Sequence, residues 1–307
     1  MARKHLKLYV FSTLFIAMSI PFSSTIKAEL LPTAKSSSLH AGKYSDFKLE
    51  GNIRRFIGET LHIDISFLLF DNAATARVGF YEKNGVLYSI LEAETKGFVG
   101  FFTGYRKHFY KATFDVVDKE SRLRSKTFER KVIIGDMVNA TNHSFDYKNR
   151  THKWKKFIGG KLVEDGSRII PPDVNFDDIL AVFYNFRNSA YGKIQRGVKY
   201  TIYTVPEKEA KKIHVHIIDR DEQNDFMSKN NRTNDDEFLL KAIIPKEIFH
   251  TDTGELLFWS SEHLIPLETT VKDYILFGDL HAKLSHRVFK LPANDAAVPS
   301  FENGSPN

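Results

Sequence analysis

The stretch Leu61-His62-Ile63-Asp64-Ile65-Ser66-Phe67-Leu68-Leu69 decides the fold class. Leu61, Ile63, Ile65, Phe67 and Leu69 recur at every second position, and His62, Asp64 and Ser66 stand between them. A period of two belongs to a β-strand with one buried face. Outward from this stretch the pattern repeats. Asp71-Asn72 is expected to turn the chain, followed by a strand carrying Ala76, Val78 and Phe80. Lys83-Asn84-Gly85 reads as a hairpin turn, with Val86, Tyr88 and Ile90 on the strand after it. Tyr110, Ala112, Phe114 and Val116 alternate in the same way. Further strands are expected at 123–134, 140–148, 151–158, 199–204, 213–218, 237–244, 255–260, 267–271 and 278–284. Strands joined by short turns make an antiparallel meander.

A different period intervenes between Asp173 and Gly192. Pro171-Pro172 stops the preceding strand, Asn175 is placed to cap, and Asp177 and Asp178 complement the positive end of a helix dipole. Ile179, Val182, Phe183 and Phe186 then fall at i, i+3, i+4 and i+7, the mark of an amphipathic helix of about three turns. A lone helix among many half-buried strands packs across the concave side of their sheet, because both have an apolar face to bury. The expected architecture is mainly β, a curved antiparallel sheet or half-barrel packed around one central α-helix. The polar run from Asp219 to Asp236 reads as a long loop.

Composition agrees with this class. The 307 residues are 42% hydrophobic and 27% charged, as in a folded globular chain. The aromatics are 26 Phe and 12 Tyr against 2 Trp, and Phe and Tyr suit pleated, half-buried surfaces. Cysteine is absent, which excludes disulfides, thiolate metal sites and a cysteine nucleophile.

Arg3, Lys4 and Lys7 precede an apolar run from Leu8 to Phe22, followed by Ser23-Ser24-Thr25 and the small Ala28. This is the layout of a secretory signal peptide, and the apolar run is shorter than the roughly 20 residues of a membrane-spanning helix. The expected organisation is a signal peptide at 1–28, a flexible leader at 29–43, one antiparallel β domain at 44–289 and a disordered tail at 290–307, with the chain exported to the periplasm. Removing Arg3, Lys4, Lys7 and Lys27 takes four from the formal charge of +6 and leaves +2. A nearly neutral chain has no global electrostatic reason to bind nucleic acid. The remaining charge is uneven. From Lys96 to Lys161 there are 16 Lys or Arg and 6 Asp or Glu, a stretch that suits an anionic envelope surface or the solvated face of alternating strands.

No catalytic motif stands out. His214 and His216 share a strand face, but no third ligand stands at a fitting spacing, and His281 and His286 likewise have none. Ser260-Ser261-Glu262-His263 gathers triad chemistry in sequence, but neighbours on an extended chain point to opposite sides. Asp177-Asp178 is explained by helix capping more simply than by acid–base work. Gly97, Gly100 and Gly104 among Phe98, Phe101, Phe102 and Tyr105 lack the Lys-Ser/Thr ending of a phosphate loop. They read as a tight apolar turn, expected to pack into the core; insertion into lipid headgroups is the alternative. No metal or cofactor is expected.

Two features then point to a family. One is the Asp-rich helix ending in aromatic-x-x-Arg, Asp177 to Arg187. The other is Gly254-x-Leu256-x-x-Trp259 with a polar turn, Pro266 and a last strand after Phe277-Gly278. Residues 172–284 thereby resemble a bacterial secreted family catalogued as domain of unknown function 3108. The resemblance implies an exported single domain, similar in shape to periplasmic lipoprotein carriers, and no mechanism. An open half-barrel lined by Phe, Leu and Ile would suit an acyl chain, at roughly 0.8 kcal/mol per buried methylene. The leading expectation is a periplasmic, non-enzymatic protein that binds an apolar or lipidic ligand or scaffolds the envelope, with Tyr184, Arg187 and Trp259 at the mouth of a cavity. An outer-membrane β-barrel and an envelope glycan-acting enzyme are the alternatives.

Overall fold

The computed structural model describes residues 49–205, 210–233, 237–249, 253–275 and 278–290. The expected signal peptide and leader, and all of the expected tail but Lys290, lie outside the described residues. After a 3-10 turn at Ile53–Phe56 come β1 (Glu59–Phe67), β2 (Phe70–Lys83), β3 (Val86–Thr95), α1 (Gly97–Thr103), β4 (Lys107–Val117) and β5 (Arg122–Ile134). Next are β6 (Met137–Asp146), β7 (Thr151–Ile158), β8 (Lys161–Ile169), α2 (Ile179–Arg187), β9 (Lys199–Thr204) and β10 (Lys211–Ile217). The chain ends with α3 (Arg220–Lys229), β11 (Phe238–Ile243), α4 (Lys246–Phe249), β12 (Glu255–Ser260), β13 (Pro266–Ile275) and β14 (Gly278–Phe289).

All fourteen strands belong to one antiparallel sheet, in the order β8-β7-β6-β5-β4-β3-β2-β1-β14-β13-β12-β11-β10-β9. Every neighbour is a sequence neighbour except the β1–β14 pair, which joins two meanders at the middle of the sheet. The sheet is not closed into a barrel. It curves round α2, which touches β3, β4 and β5 of the first meander and β9 of the second. Leu180, Ala181 and Tyr184 enter a core with Phe56, Leu61 and Phe80. Val182 enters a second core with Ile202, Ile213 and Leu256. The helix is therefore apolar on both sides, as a buried helix must be. Asp178, and not Asn175, is its N-cap: the Asp178 carboxylate accepts from the backbone N–H groups of Leu180 and Ala181.

Several expectations are corrected. The first hairpin turns at Leu68-Leu69, since Phe67 pairs with Phe70. On β3 the buried residues are Leu87 and Ser89, not Val86, Tyr88 and Ile90. Antiparallel partners share a face, and Phe80, which points inward, pairs with Ser89. Part of the expected polar loop is the helix α3, capped by Asp219 and seated through Gln223 and Met227. The strand that Pro171-Pro172 stops is β8, whose range is absent from the expected strands. An integral outer-membrane barrel needs closure and an apolar outer face; here the sheet is open, and Lys107, Lys153 and Lys155 are exposed on the strands.

Candidate functional site

Tyr184, Arg187 and Trp259 do not meet at a cavity mouth. Tyr184 is fully buried in the first core, its ring 4.7 Å from Phe80 and 5.4 Å from Phe56. Trp259 belongs to a separate small cluster with Ile218, Met227 and Leu239, and the guanidinium of Arg232 lies 4.1 Å from its ring. Arg187 is buried at the end of α2. It grips the carboxylate of Glu59 with two hydrogen bonds of 2.6 and 2.9 Å and donates to the Leu264 carbonyl. Arg287 donates a third bond of 2.8 Å to the same carboxylate. Burial opposes ionisation of Glu59, and the guanidiniums of Arg187 and Arg287 overcome it and hold its pKa below the ordinary value.

The start of α2 is fastened in the same manner. Asp177 accepts from Arg122 at 2.8 Å and from the Tyr191 hydroxyl at 2.7 Å. Its backbone N–H donates to Tyr203, forming a parallel bridge to β9. Ser125 donates to Asp178, and its oxygen accepts from the Asp178 backbone N–H. Asn185 exchanges two bonds with the backbone of Leu123. Burial raises the pKa of both aspartates, that of Asp178 to about 7. These carboxylates are fully buried and face other protein groups, so they are structural pins of the helix.

A second buried system lies between β6, β7 and β8. Arg168 donates to Nδ1 of His152, which leaves Nε2 of His152 to donate to Nδ1 of His143 at 3.0 Å. Burial, with nearby positive charge, lowers their pKa values to about 3 for His152 and about 4 for His143. Both rings are neutral at neutral pH. His214 and His281 lie on exposed strand faces and bond to Thr201 and Thr270. Glu262 pairs with His263 at 3.4 Å, while Ser261 holds a turn, accepting from the Ile265 N–H. Among the described residues, no group of three metal-ligating side chains stands together.

Among the described residues, the side chains packed around α2 form the two apolar cores. A void between Tyr110, Phe128 and Arg130 on one side and Thr204 and Val205 on the other offers about 10 Å³ to a water molecule. That is room for about one water; small-molecule sites span roughly 300–1,000 Å³.

The apolar surface lies elsewhere, at one end of the sheet. The turns β1–β2, β5–β6 and β7–β8 and the α1 connection between β3 and β4 share that end, because alternate turns of a meander do. Leu69 is 97% exposed, Phe101 67% and Phe98 and Phe102 59% each. Phe70 stacks on Phe98 at 5.2 Å, and Phe98 lies 4.4 Å from Phe102. The core packing expected of α1 is thus not what forms. Met137 after the β5–β6 turn and Leu162 after the β7–β8 turn are also more than half exposed. Apart from Val86 and Ile169, every exposed large apolar residue described lies at this end or within three residues of a strand terminus there. At the opposite end the turns carry Asn84-Gly85, Asp118-Lys119-Glu120 and Lys148-Asn149-Arg150. Sequence reasoning found the aromatics of α1 but not their exposure; the counting of turns along the meander is the signal that marks the end.

No family model matches the chain, and no curated protein is similar to it in sequence. Among solved structures, the chain is similar to a beta-barrel-like protein of domain of unknown function DUF1849 from Brucella abortus. The likeness has 10% identity and a TM-score of 0.33, over 76% of this chain and 98% of that one.

Proposed function

We propose that this is a periplasmic, non-enzymatic protein of the cell envelope that handles apolar or lipidic matter on the surface of its sheet instead of inside it. The carrying observation is the end of the sheet where Leu69, Phe98, Phe101 and Phe102 stand in solvent while Phe56, Phe80 and Tyr184 are fully buried inside. Contiguous exposed apolar side chains of this size mark interaction sites on folded proteins. The buried acids and bases support a non-catalytic reading, since Glu59, Asp177, Asp178 and His152 are all engaged by other protein groups. The basic-then-apolar amino terminus and the resemblance to the secreted family support the periplasmic setting.

The test uses the full chain, expressed in a bacterium and purified in the processed form the host leaves. A fluorescent naphthalene sulfonate probe should light up on the protein, and Phe98→Ser/Phe101→Ser/Phe102→Ser should remove most of the signal without loss of cooperative unfolding. Mass spectra of organic extracts should show no stoichiometric acyl chain. An unchanged probe signal in the triple variant would overturn the reading.

A further inference from the structure

We infer that the outer edge of β8 pairs antiparallel with β8 of a second copy of this chain, in the register that sets Gly166 opposite Gly166. The contact is separate from the apolar rim and joins two sheets edge to edge.

The two edges of the sheet differ. β9, at one side, is covered near its end: the Asp177 backbone N–H donates to the Tyr203 carbonyl at 3.1 Å, and Asp177 bridges to Thr204. β8, at the other side, pairs with β7 along Lys161–Ile169, and among the described residues no further backbone group bonds to it. An edge strand presents a row of N–H and C=O groups that is a template for another strand. Proline and lysine commonly block such edges, and Leu162 to Ile169 holds neither. The one irregularity lies opposite Lys156 and Phe157, at the start of the strand, and leaves Glu164 to Ile169 in regular pairing with β7. Ile169 is 79% exposed, and Leu162 and Val163 are 52% exposed.

The residues of the strand select the occupant. A two-fold contact uses the same patch on both copies, so a strand fits itself only where it is self-complementary. Centred on Gly166, the pairing sets Glu164 opposite Arg168, Asp165 opposite Ser167 and Val163 opposite Ile169, each of them twice. Opposite charges meet, and exposed apolar side chains meet; cross-strand pairs of either sort contribute roughly 0.2–1 kcal/mol. The neighbouring registers fail. A centre at Glu164 or at Asp165 sets that carboxylate against its own copy, and a centre at Ser167 sets Asp165 against Ile169. Like charges directly opposite destabilise a pair of strands.

The strand is also held ready for the contact. The Trp154 ring lies where a Gly166 side chain would begin, and Trp154 Nε1 donates to Glu164 at 3.0 Å. Arg168 donates to His152 at 3.1 Å. Both charged groups are thus positioned by β7 before any partner arrives, which lowers the cost of ordering them on association. The glycine at the centre carries nothing of its own to stand between two backbones.

The chain has no cysteine, so an introduced pair reports the register directly. In Val163→Cys/Ile169→Cys the two thiols of one chain stand six residues apart on a strand, about 20 Å, and cannot join within it. In the inferred dimer each stands opposite its counterpart on the other copy, at the Cα separation of about 4.4–6.8 Å that a disulfide needs. Mild oxidation of the processed protein should give a covalent dimer in the double variant and less than a tenth as much in either single variant. Sedimentation of the parent should show a monomer–dimer equilibrium. Val163→Lys/Ile169→Lys, which keeps cooperative unfolding, should weaken that equilibrium at least tenfold, and Phe98→Ser/Phe101→Ser/Phe102→Ser should leave it within twofold. A parent that stays monomeric at its highest soluble concentration, or equal cross-linking in single and double variants, would overturn the inference. A dimer that the rim variant abolishes and the lysine variant keeps would assign the contact to the apolar rim and also overturn it.

Discussion

Glu59 and Arg187, separated by 128 residues, meet as a two-pronged ion pair with both side chains almost entirely out of water. The pair ties the last turn of α2 to the first strand, and Arg287 of the last strand joins the same carboxylate. Removing one partner of a buried pair leaves the other charge unpaired. Glu59→Gln should therefore cost about 3–5 kcal/mol. Replacing Glu59, Arg187 and Arg287 together by Leu, Met and Met should cost less than the single change, because no charge is stranded. Urea denaturation of both variants checks this; a triple variant that is the less stable of the two would contradict it.

The His143–His152 pair should make the fold acid-sensitive. Their folded pKa values, about 4 and about 3, lie below the ordinary histidine value of 6.5. The stability they confer is full above that value and is lost as pH falls from 6.5 towards 3, since only the unfolded chain takes up the protons. Thermal melts between pH 7 and pH 4 should show a falling Tm in the parent. His152→Phe, which stays stacked between Phe145 and Trp154, should flatten that slope.

Asp178 acts in the opposite direction. Burial raises its folded pKa from 3.8 to about 7, so its contribution is most favourable below pH 4 and is lost as pH rises through 7. Asp178→Asn keeps an oxygen for the Leu180 and Ala181 N–H groups but cannot ionise. The stability difference between variant and parent should move in favour of the variant from pH 4 to pH 7.5. A difference independent of pH would contradict the assignment.

Gly254, at φ 75°, enters β12 past the backbone of Ile244, whose carbonyl oxygen would lie 2.2 Å from an added Cβ. The conformation alone should make Gly254→Ala cost about 1–3 kcal/mol, and the clash with backbone adds to that. Denaturation midpoints check the loss. The glycine in the Gly-x-Leu-x-x-Trp pattern is thereby accounted for by space and conformation.

Leu68→Asn should act the other way at the rim. Asparagine tolerates positive φ, so relief of the left-handed leucine should stabilise the chain by up to about 1 kcal/mol. Denaturation midpoints of variant and parent check this; a less stable variant would contradict it.

The meander was legible because one-sided burial writes itself into alternation: 151–158, 199–204 and 255–260 coincide with β7, β9 and β12. The central helix was legible from Ile179, Val182, Phe183 and Phe186. Other parts had no local signal. Glu59 reads as an ordinary surface charge, since its partners lie 128 and 228 residues away. β8 lacks alternation because it is an edge strand, exposed along most of its length. α3 has few apolar residues, and its seat depends on Gln223 bonding to the backbone of Glu237 and Leu239. The exposure of Phe98, Phe101 and Phe102 is a property of which rim of the sheet they reach, and no window around residue 100 contains that.

The pairing of β1 with β14 has one more consequence, for the order of assembly. As the chain is made or threaded across a membrane, β1 can zip to β2 at once, but its other edge waits for the final strand. Until residues 278–289 arrive, Leu61 and the Glu59 carboxylate lie beside an unpaired flank, a template for joining a neighbouring chain. A premature stop before β14 should therefore yield sticky, protease-prone material, not a smaller version of the same protein.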